Sequence, residues 1–403
     1  MSVDDAVAMI AARVGAVPDT EMVALMEAAG RVLAEPIVAP LPLPPFTNSA
    51  VDGYAIRSAD LALIPQHAFP VVGRIAAGEA AASEVVEAGQ AVRIFTGAPM
   101  PTGADTVFMQ EDVRLEGEHV ILPPGLRAGA NVRPAGEDIP KGSEALPAGR
   151  RLRPQDVALI AALGLTHVKV RRAIRVAVFS TGDELVAPGQ SLVAPKLYDS
   201  NRFMLMTMLR RLGCAVSDLG ILPDDRVSLA QALEMAASRH DLLLTSGGVS
   251  TGEEDHVKAA IESVGSLVLW RMAIKPGRPV AMGVVRGTPF IGLPGNPVAS
   301  FVTFTYVVRP TIFALAGASA DPVVPTPVRA AFSYKKKIAR REYVRASIQR
   351  REDGSFEAVK FPREGAGLLS SLVQTDGFIE LGEDITAVEP GDFLNFFSYA
   401  SLS

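Results

Sequence analysis

Three acids follow a glycine turn in LLLTSGGVSTGEEDHVKAAI, residues 242 to 261, which begins as an unbroken apolar run. Glycines let backbone N–H groups approach an anion closely, and the helix start beyond them favours negative charge. Ser246, Gly247, Gly248, Ser250 and Thr251 therefore offer donors to a phosphate. Glu253, Glu254 and Asp255 would repel that phosphate unless a divalent cation lay between them. Mg²⁺ needs few carboxylates and takes phosphate oxygens as further ligands. A plain turn whose acids cap the next helix explains the same residues, and the loop alone leaves the two readings even.

Three other loops shift that balance. STGDEL (180–185) offers Asp183 and Glu184, and LPDDR (222–226) offers Asp224 and Asp225. RMAIKPGRP (271–279) holds Arg271, Lys275 and Arg278 on a Pro/Gly loop, a set suited to an oxyanion. Each has a bland counterpart: a helix cap, a solvated turn, a basic surface loop. Acidic and basic loops meeting at one sheet edge point instead to a polyanion handled with Mg²⁺. No Ser–His–Asp arrangement is visible, and His256, beside Asp255, reads as helix-start packing rather than a base. The lone cysteine, Cys214, excludes an internal disulfide and a thiolate metal cluster.

The elements that must carry these loops run from 174 to about 316 as alternating apolar strands and amphipathic helices. That alternation implies a mostly parallel sheet covered on both faces, a three-layer α/β unit. Its ligand belongs beyond the carboxyl ends of the strands, where every conspicuous polar loop falls. Residues 1–35 carry helical spacing, and a proline-dense run from 36 to 45 leads into short β-like segments up to 140. After 322 the chain is β-like again. We expect residues 1–50 with 141–173 to form a discontinuous helical N-terminal linker unit. We expect 51–140 to form a small elongated β domain, 174–322 the α/β domain and 323–403 a C-terminal β-barrel.

A chain of 403 residues is long enough for several cores. Its net charge of −5 gives no general attraction to nucleic acid or anionic membranes. The acidic N-terminus lacks the features of a signal peptide. Arg309 and Pro310 interrupt the most apolar stretch, 297–318, which reads as a buried helix. A cytoplasmic protein is expected.

The ordered set FTNSAVDGYA, FTGAPMP, GEDIPKG, STGDEL, YDSNR, TSGGVSTGEEDHVK, IKPGRP and GLPGNPVAS closely resembles the molybdopterin molybdenumtransferases, the MoeA family, which includes the E domain of gephyrin. The resemblance covers nearly the whole chain. It implies insertion of molybdenum from molybdate into adenylylated molybdopterin, with release of AMP and assistance from Mg²⁺. It also implies a homodimer whose site is shared between subunits, and contacts with a molybdopterin adenylyltransferase and molybdoenzyme chaperones. Matched motif by motif, the catalytic set is Asp52, Asp138, Glu184, Asp224, Asp255 and Lys275, with Asp224 and Asp255 as metal ligands. The substrate-binding set is Thr96, Ser246, Gly247, Gly248, Ser250, Arg271, Arg278, Pro294, Asn296, Ser300, Arg345 and Ser371.

Dithiolene sulfurs on the pterin would supply the soft ligands molybdenum needs, so one cysteine suffices. Arg278, Ala299, Ala366 and Thr47 depart from the residues usual at their positions. Two missing hydroxyls, at Ala299 and Ala366, bear on oxyanion affinity and on the choice between molybdate and tungstate. The alternatives are a non-catalytic scaffold of the same fold and a molybdopterin adenylyltransferase, which shares the α/β domain. The β segments on either side favour the transferase.

Overall fold

The computed structural model describes residues 1–79, 85–248, 256–319 and 323–402. Ser250 and Asp255 lie outside the described residues.

At the centre is a six-stranded sheet in the order Ala215–Leu222, Arg175–Thr181, Leu242–Ser246, Thr288–Leu293, Pro279–Val285, Gly265–Arg271. The first four strands are parallel, and the last two join antiparallel. Side chains alternate between two cores, as strand geometry requires. Val176, Val178, Leu242 and Leu244 enter one core, while Ala177, Phe179 and Leu243 enter the other. The first core is covered by helices Val3–Arg13, Asn201–Arg211 and the 297–315 helical run, the second by Arg226–Ala237 and His256–Val264. Both faces are thus buried, which is why inner strands such as Leu242–Ser246 open on unbroken apolar runs.

Arg175–Thr181 comes first in the chain yet lies between Ala215–Leu222 and Leu242–Ser246, so the connection after Arg175–Thr181 runs toward one edge and that after Leu242–Ser246 toward the other. That arrangement opens a crevice at the carboxyl ends of Arg175–Thr181 and Leu242–Ser246. Residues 297–315 form one helical run whose middle, Phe304–Val308, widens to a π turn before Pro310. Proline has no N–H to donate, and the wider turn accommodates that missing bond. This run is long and apolar enough to cross a membrane, but 72% of its window is buried inside the fold.

In the C-terminal region strands Arg341–Arg350, Phe356–Lys360, Thr326–Ala330, Phe393–Ser398 and Gly377–Leu381 close on themselves through a pairing of the first with the last. Closure removes free edges. The short strand Ile274–Lys275 adds to this barrel in parallel, with Lys275 in register with Glu342. A third six-stranded sheet, in the order Thr106–Met109, Gly53–Ile56, Ala91–Ile94, Ala68–Ile75, His119–Ile121, Arg114–Glu116, comes from residues between 53 and 121.

The expected helix at Val3–Arg13 is present, capped by Ser2. The helical spacing from 23 to 35 is not used as a helix. Thr20–Ala24 is a strand paired antiparallel with His167–Arg171, and only Leu25–Glu27 forms a 3-10 turn. Val23 is buried from that strand in a separate core with Leu33, and tertiary pairing overrides local preference. Helix Pro154–Ala162 and strand His167–Arg171 add Ile160, Val168 and Val170 to that core.

Candidate active site

Two adjoining cavities occupy the carboxyl ends of the central sheet. The first, about 410 Å³, is lined by Thr181, Glu184, Tyr198, Asn201, Ser246 and Asn296 among others. The second, about 310 Å³, lies where the Ile274–Lys275 loop meets the barrel and carries Lys275, Arg345, Lys360 and Arg363. Asn296 lines both, and the 364–369 segment forms a shared wall: Glu364, Gly365 and Ala366 face the second cavity, Gly367 and Leu369 the first.

In the strand-end cavity the polar groups are mostly neutral. Asn201 Nδ2 donates to Ser246 Oγ at 2.8 Å and to the Gly295 carbonyl at 2.6 Å. Ser246 Oγ donates in turn to the Pro294 carbonyl at 3.3 Å. Asn201 Oδ1 and Thr181 Oγ1 are buried without a partner among the described residues, a costly state that a ligand's donors would relieve. Gly248 must be glycine, because a Cβ there would come within 2.4 Å of Thr181 Oγ1 and 2.5 Å of Val257. Its φ of +65° also suits glycine.

The paired acids of LPDDR separate in role. Asp225 accepts from Ser228 N and caps helix Arg226–Ala237. Asp224 has no such duty. Burial, then the negative fields of Asp183, Glu184 and Asp225, push its carboxyl above the ordinary range, with His256 partly offsetting them. Carboxylates crowded in this way favour a cation among them. Among the described residues no group of three His, Cys, Asp or Glu side chains is assembled to hold a metal.

The cationic cavity is built from fixed charges. Lys275 Nζ donates to Tyr334 Oη at 3.1 Å, and Tyr334 Oη donates to Glu342 Oε2 at 2.8 Å. Lys275 also lies 3.3 Å from Glu342, which is 1% exposed and pairs with Arg340. Burial opposes the Lys275 ammonium, but Tyr334 and Glu342 outweigh it and raise the Lys275 pKa. Arg345 donates through Nη1 to the Gly365 carbonyl at 2.6 Å, while its Nε is buried with no partner. Burial holds this guanidinium below its ordinary value.

Other residues singled out in the sequence lie elsewhere. Arg271 and Arg278 are exposed and are not among the lining residues, and the Arg278 carbonyl closes its loop onto Met272 N. Ser300 and Ser371 are fully buried and line neither cavity, and the Ser371 hydroxyl donates to the Leu368 carbonyl. Ala299 and Ala366 do line the cationic cavity, so both departures from the usual hydroxyls present methyl groups there. Pro294 lines the same cavity.

Asp52 and Thr96 meet each other on the third sheet, Asp52 accepting from Thr96 N and Oγ1 at 2.7 Å each. Those two bonds lower the Asp52 pKa. Gly53 beside them is required because a Cβ would strike the Phe108 carbonyl. Asp138 is exposed on a turn whose N–H donates to the Leu43 carbonyl. None of these three lines either cavity of its own chain. Tyr334, Glu342, Lys360 and Glu364 escaped the sequence reading, because nothing in SYKKK or REYVR announces that the barrel closes onto Lys275.

Three families match successive parts of the chain. Residues 1–164 match the MoeA N-terminal region (domain I and II), and 177–314 a probable molybdopterin binding domain. Residues 327–396 match the MoeA C-terminal region (domain IV). A molybdopterin molybdenumtransferase of Haemophilus influenzae is 40% identical over 93% of this chain and 92% of its own length. One of Nostoc sp. is 36% identical over 92% and 89%. The crystal structure of a molybdopterin biosynthesis moeA protein from Pyrococcus horikoshii superposes with a TM-score of 0.83 at 30% identity, covering 99% of this chain and all of that one. With its motifs, its central sheet and its barrel in register with these relatives, the chain belongs to the MoeA family of molybdopterin molybdenumtransferases.

Proposed function

We propose that the chain transfers molybdenum from molybdate to adenylylated molybdopterin and releases AMP. The observation that carries this reading is the junction of the two cavities at Asn296 and the 364–369 segment. A tetrahedral dianion suits Lys275, Lys360 and the open Nε of Arg345. A flat, hydrogen-bonding heterocycle suits Asn201, Thr181 and the Ser246–Gly247 turn. Holding both reactants at adjoining stations converts their encounter into a local event.

In this reading Lys275 and Arg345 fix the oxyanion, and their charge also stabilises negative charge that develops as AMP departs. Thr181, Asn201 and Ser246 orient the pterin, and Glu184 stands at the rim beside Asp224. Magnesium fits here as an ion sharing few protein ligands: Asp224 with Glu184 would hold it, and phosphate oxygens and water would complete its shell. When bound, it would supply charge neutralisation on the pyrophosphate. Asp52, Thr96 and Asp138 serve the site of a second copy in a homodimer, which accounts for their distance from the cavities of their own chain. The four units at the boundaries expected from the sequence, and a cytoplasmic location, belong to the same reading.

The test mixes purified protein with adenylylated molybdopterin, molybdate and Mg²⁺ and follows AMP. Release above the protein-free control that depends on molybdate is expected. Release that requires ATP but no molybdate would instead favour an adenylyltransferase. No release at all would favour a scaffold.

A further inference from the structure

Lys275 faces two carboxylates that differ in kind. Glu342 is 1% exposed, 3.3 Å from Lys275 Nζ, and bonded to Tyr334 and Arg340 as well. Glu364 is 61% exposed, with Oε2 4.0 Å from Lys275 Nζ and Oε1 3.7 Å from Lys360 Nζ. The first is locked into the barrel wall. The second spans two lysines loosely, at the outer limit of ion-pair contact.

The backbone that carries Glu364 is held on both sides. Arg345 Nη1 donates to the Gly365 carbonyl at 2.6 Å, and Val298 N donates to the Ala366 carbonyl at 3.0 Å. Its side chain alone is free to leave, and open solvent lies beside it. The buried Arg345 Nε in the same wall has no partner among the described residues, so one strong donor stays unused while Glu364 pairs loosely with the lysines.

We propose that Glu364 is a resident competitor for the oxyanion: its carboxylate occupies the place between Lys275 and Lys360 that a tetrahedral dianion takes, and it must swing out when that dianion binds. This rests on the reading of the cavity as the oxyanion site and adds a determinant of selectivity to it. The lining carries four cations, Lys275, Arg345, Lys360 and Arg363, against Glu342 and Glu364. With Glu364 withdrawn, the excess positive charge grows, and a doubly charged ligand gains more from it than a singly charged one. A tethered carboxylate also acts at high effective concentration. Weak monoanions such as chloride therefore fail to displace it, whereas a dianion that also engages Arg345 succeeds. The site rejects the commoner anions by making each compete with a group it already owns.

The experiment is equilibrium binding of molybdate by calorimetry to the full chain, with and without chloride, for wild type, Glu364→Gln, Glu364→Asp and Lys275→Ala. Because the ion pairs are exposed, Glu364→Gln is expected to tighten molybdate binding by about three- to tenfold. Chloride should become an effective competitor only in that variant, an outcome that a merely structural role would not produce. Glu364→Asp should fall between the two. If wild type binds molybdate and Glu364→Gln binds it equally or more weakly, with chloride still ineffective, the competitor is disproved while the oxyanion site stands. If Lys275→Ala binds molybdate as wild type does, or if no protein binds it, the cavity is not the oxyanion site and both ideas fall.

Discussion

The two cavities share a wall, yet they keep their polar groups ready in opposite ways. In the cationic cavity the central charges hold one another: Lys275 is positioned by Tyr334 and Glu342, and Glu342 by Arg340. In the strand-end cavity most of the groups are neutral, and two of them, Thr181 Oγ1 and Asn201 Oδ1, are buried without partners among the described residues. A fixed cation placed among its own acids recognises charge without having to reorganise. An unpaired hydroxyl or amide oxygen recognises a partner by the desolvation it relieves. The first arrangement suits a small dense anion, the second an extended heterocycle.

The strongest challenge to that contrast is Lys275→Ala. Molybdate-dependent AMP release should fall by about a hundredfold or more. Binding of molybdopterin, measured directly, should change by less than about threefold, because Lys275 does not line the strand-end cavity. Equal losses in both assays would mean that the two cavities act as one.

Next in size is Glu342→Gln, which tests whether the fixed carboxylate also supports the fold. Burial raises its pKa, but Tyr334, Arg340 and Lys275 more than offset this and leave it below the ordinary value of 4.5. A depressed carboxylate contributes stability above its unfolded pKa and loses it as pH falls through the folded value. The variant should therefore cost roughly 2 kcal/mol at pH 7. Urea unfolding repeated at falling pH should show the gap to wild type shrinking below about pH 4.5. A gap that widens with acid would contradict the assignment.

The smallest expected effect is that of Ala299→Ser, which restores a hydroxyl to the cationic wall. One added donor to an anion should tighten molybdate binding by about two- to fivefold and leave molybdopterin binding alone. No change in molybdate binding would place the anion away from Ala299.

Much of the α/β unit was legible because its inner strands are buried on both sides and so carry unbroken apolar runs, as in DLLLTS. The loops at their carboxyl ends were legible for the same reason, since polar residues stand out after such runs. LPDDR shows sequence and structure both at work: by residue type its acids are alike, the family motif singled out Asp224, and only the helix that begins at Arg226 makes Asp225 a cap. From 23 to 35 the helical spacing misled, because the pairing with His167–Arg171 decided the conformation. Arg271, Lys275 and Arg278 sat on one loop in the sequence, yet of the three only Lys275 lines the cavity. The strand pairing of Ile274–Lys275 with the barrel turned its side chain toward Glu342.

By itself the sequence determined the alternation of strands and helices, the family motifs and the edge of the sheet where polar loops collect. These follow from periodicity and residue type, which act over a few positions. Only the tertiary structure decided which charges face each other. Lys275, Tyr334 and Glu342 come from three separate strands and Glu364 from a loop. Electrostatic contact depends on distance in space, and that distance is fixed only when the barrel closes against the central sheet.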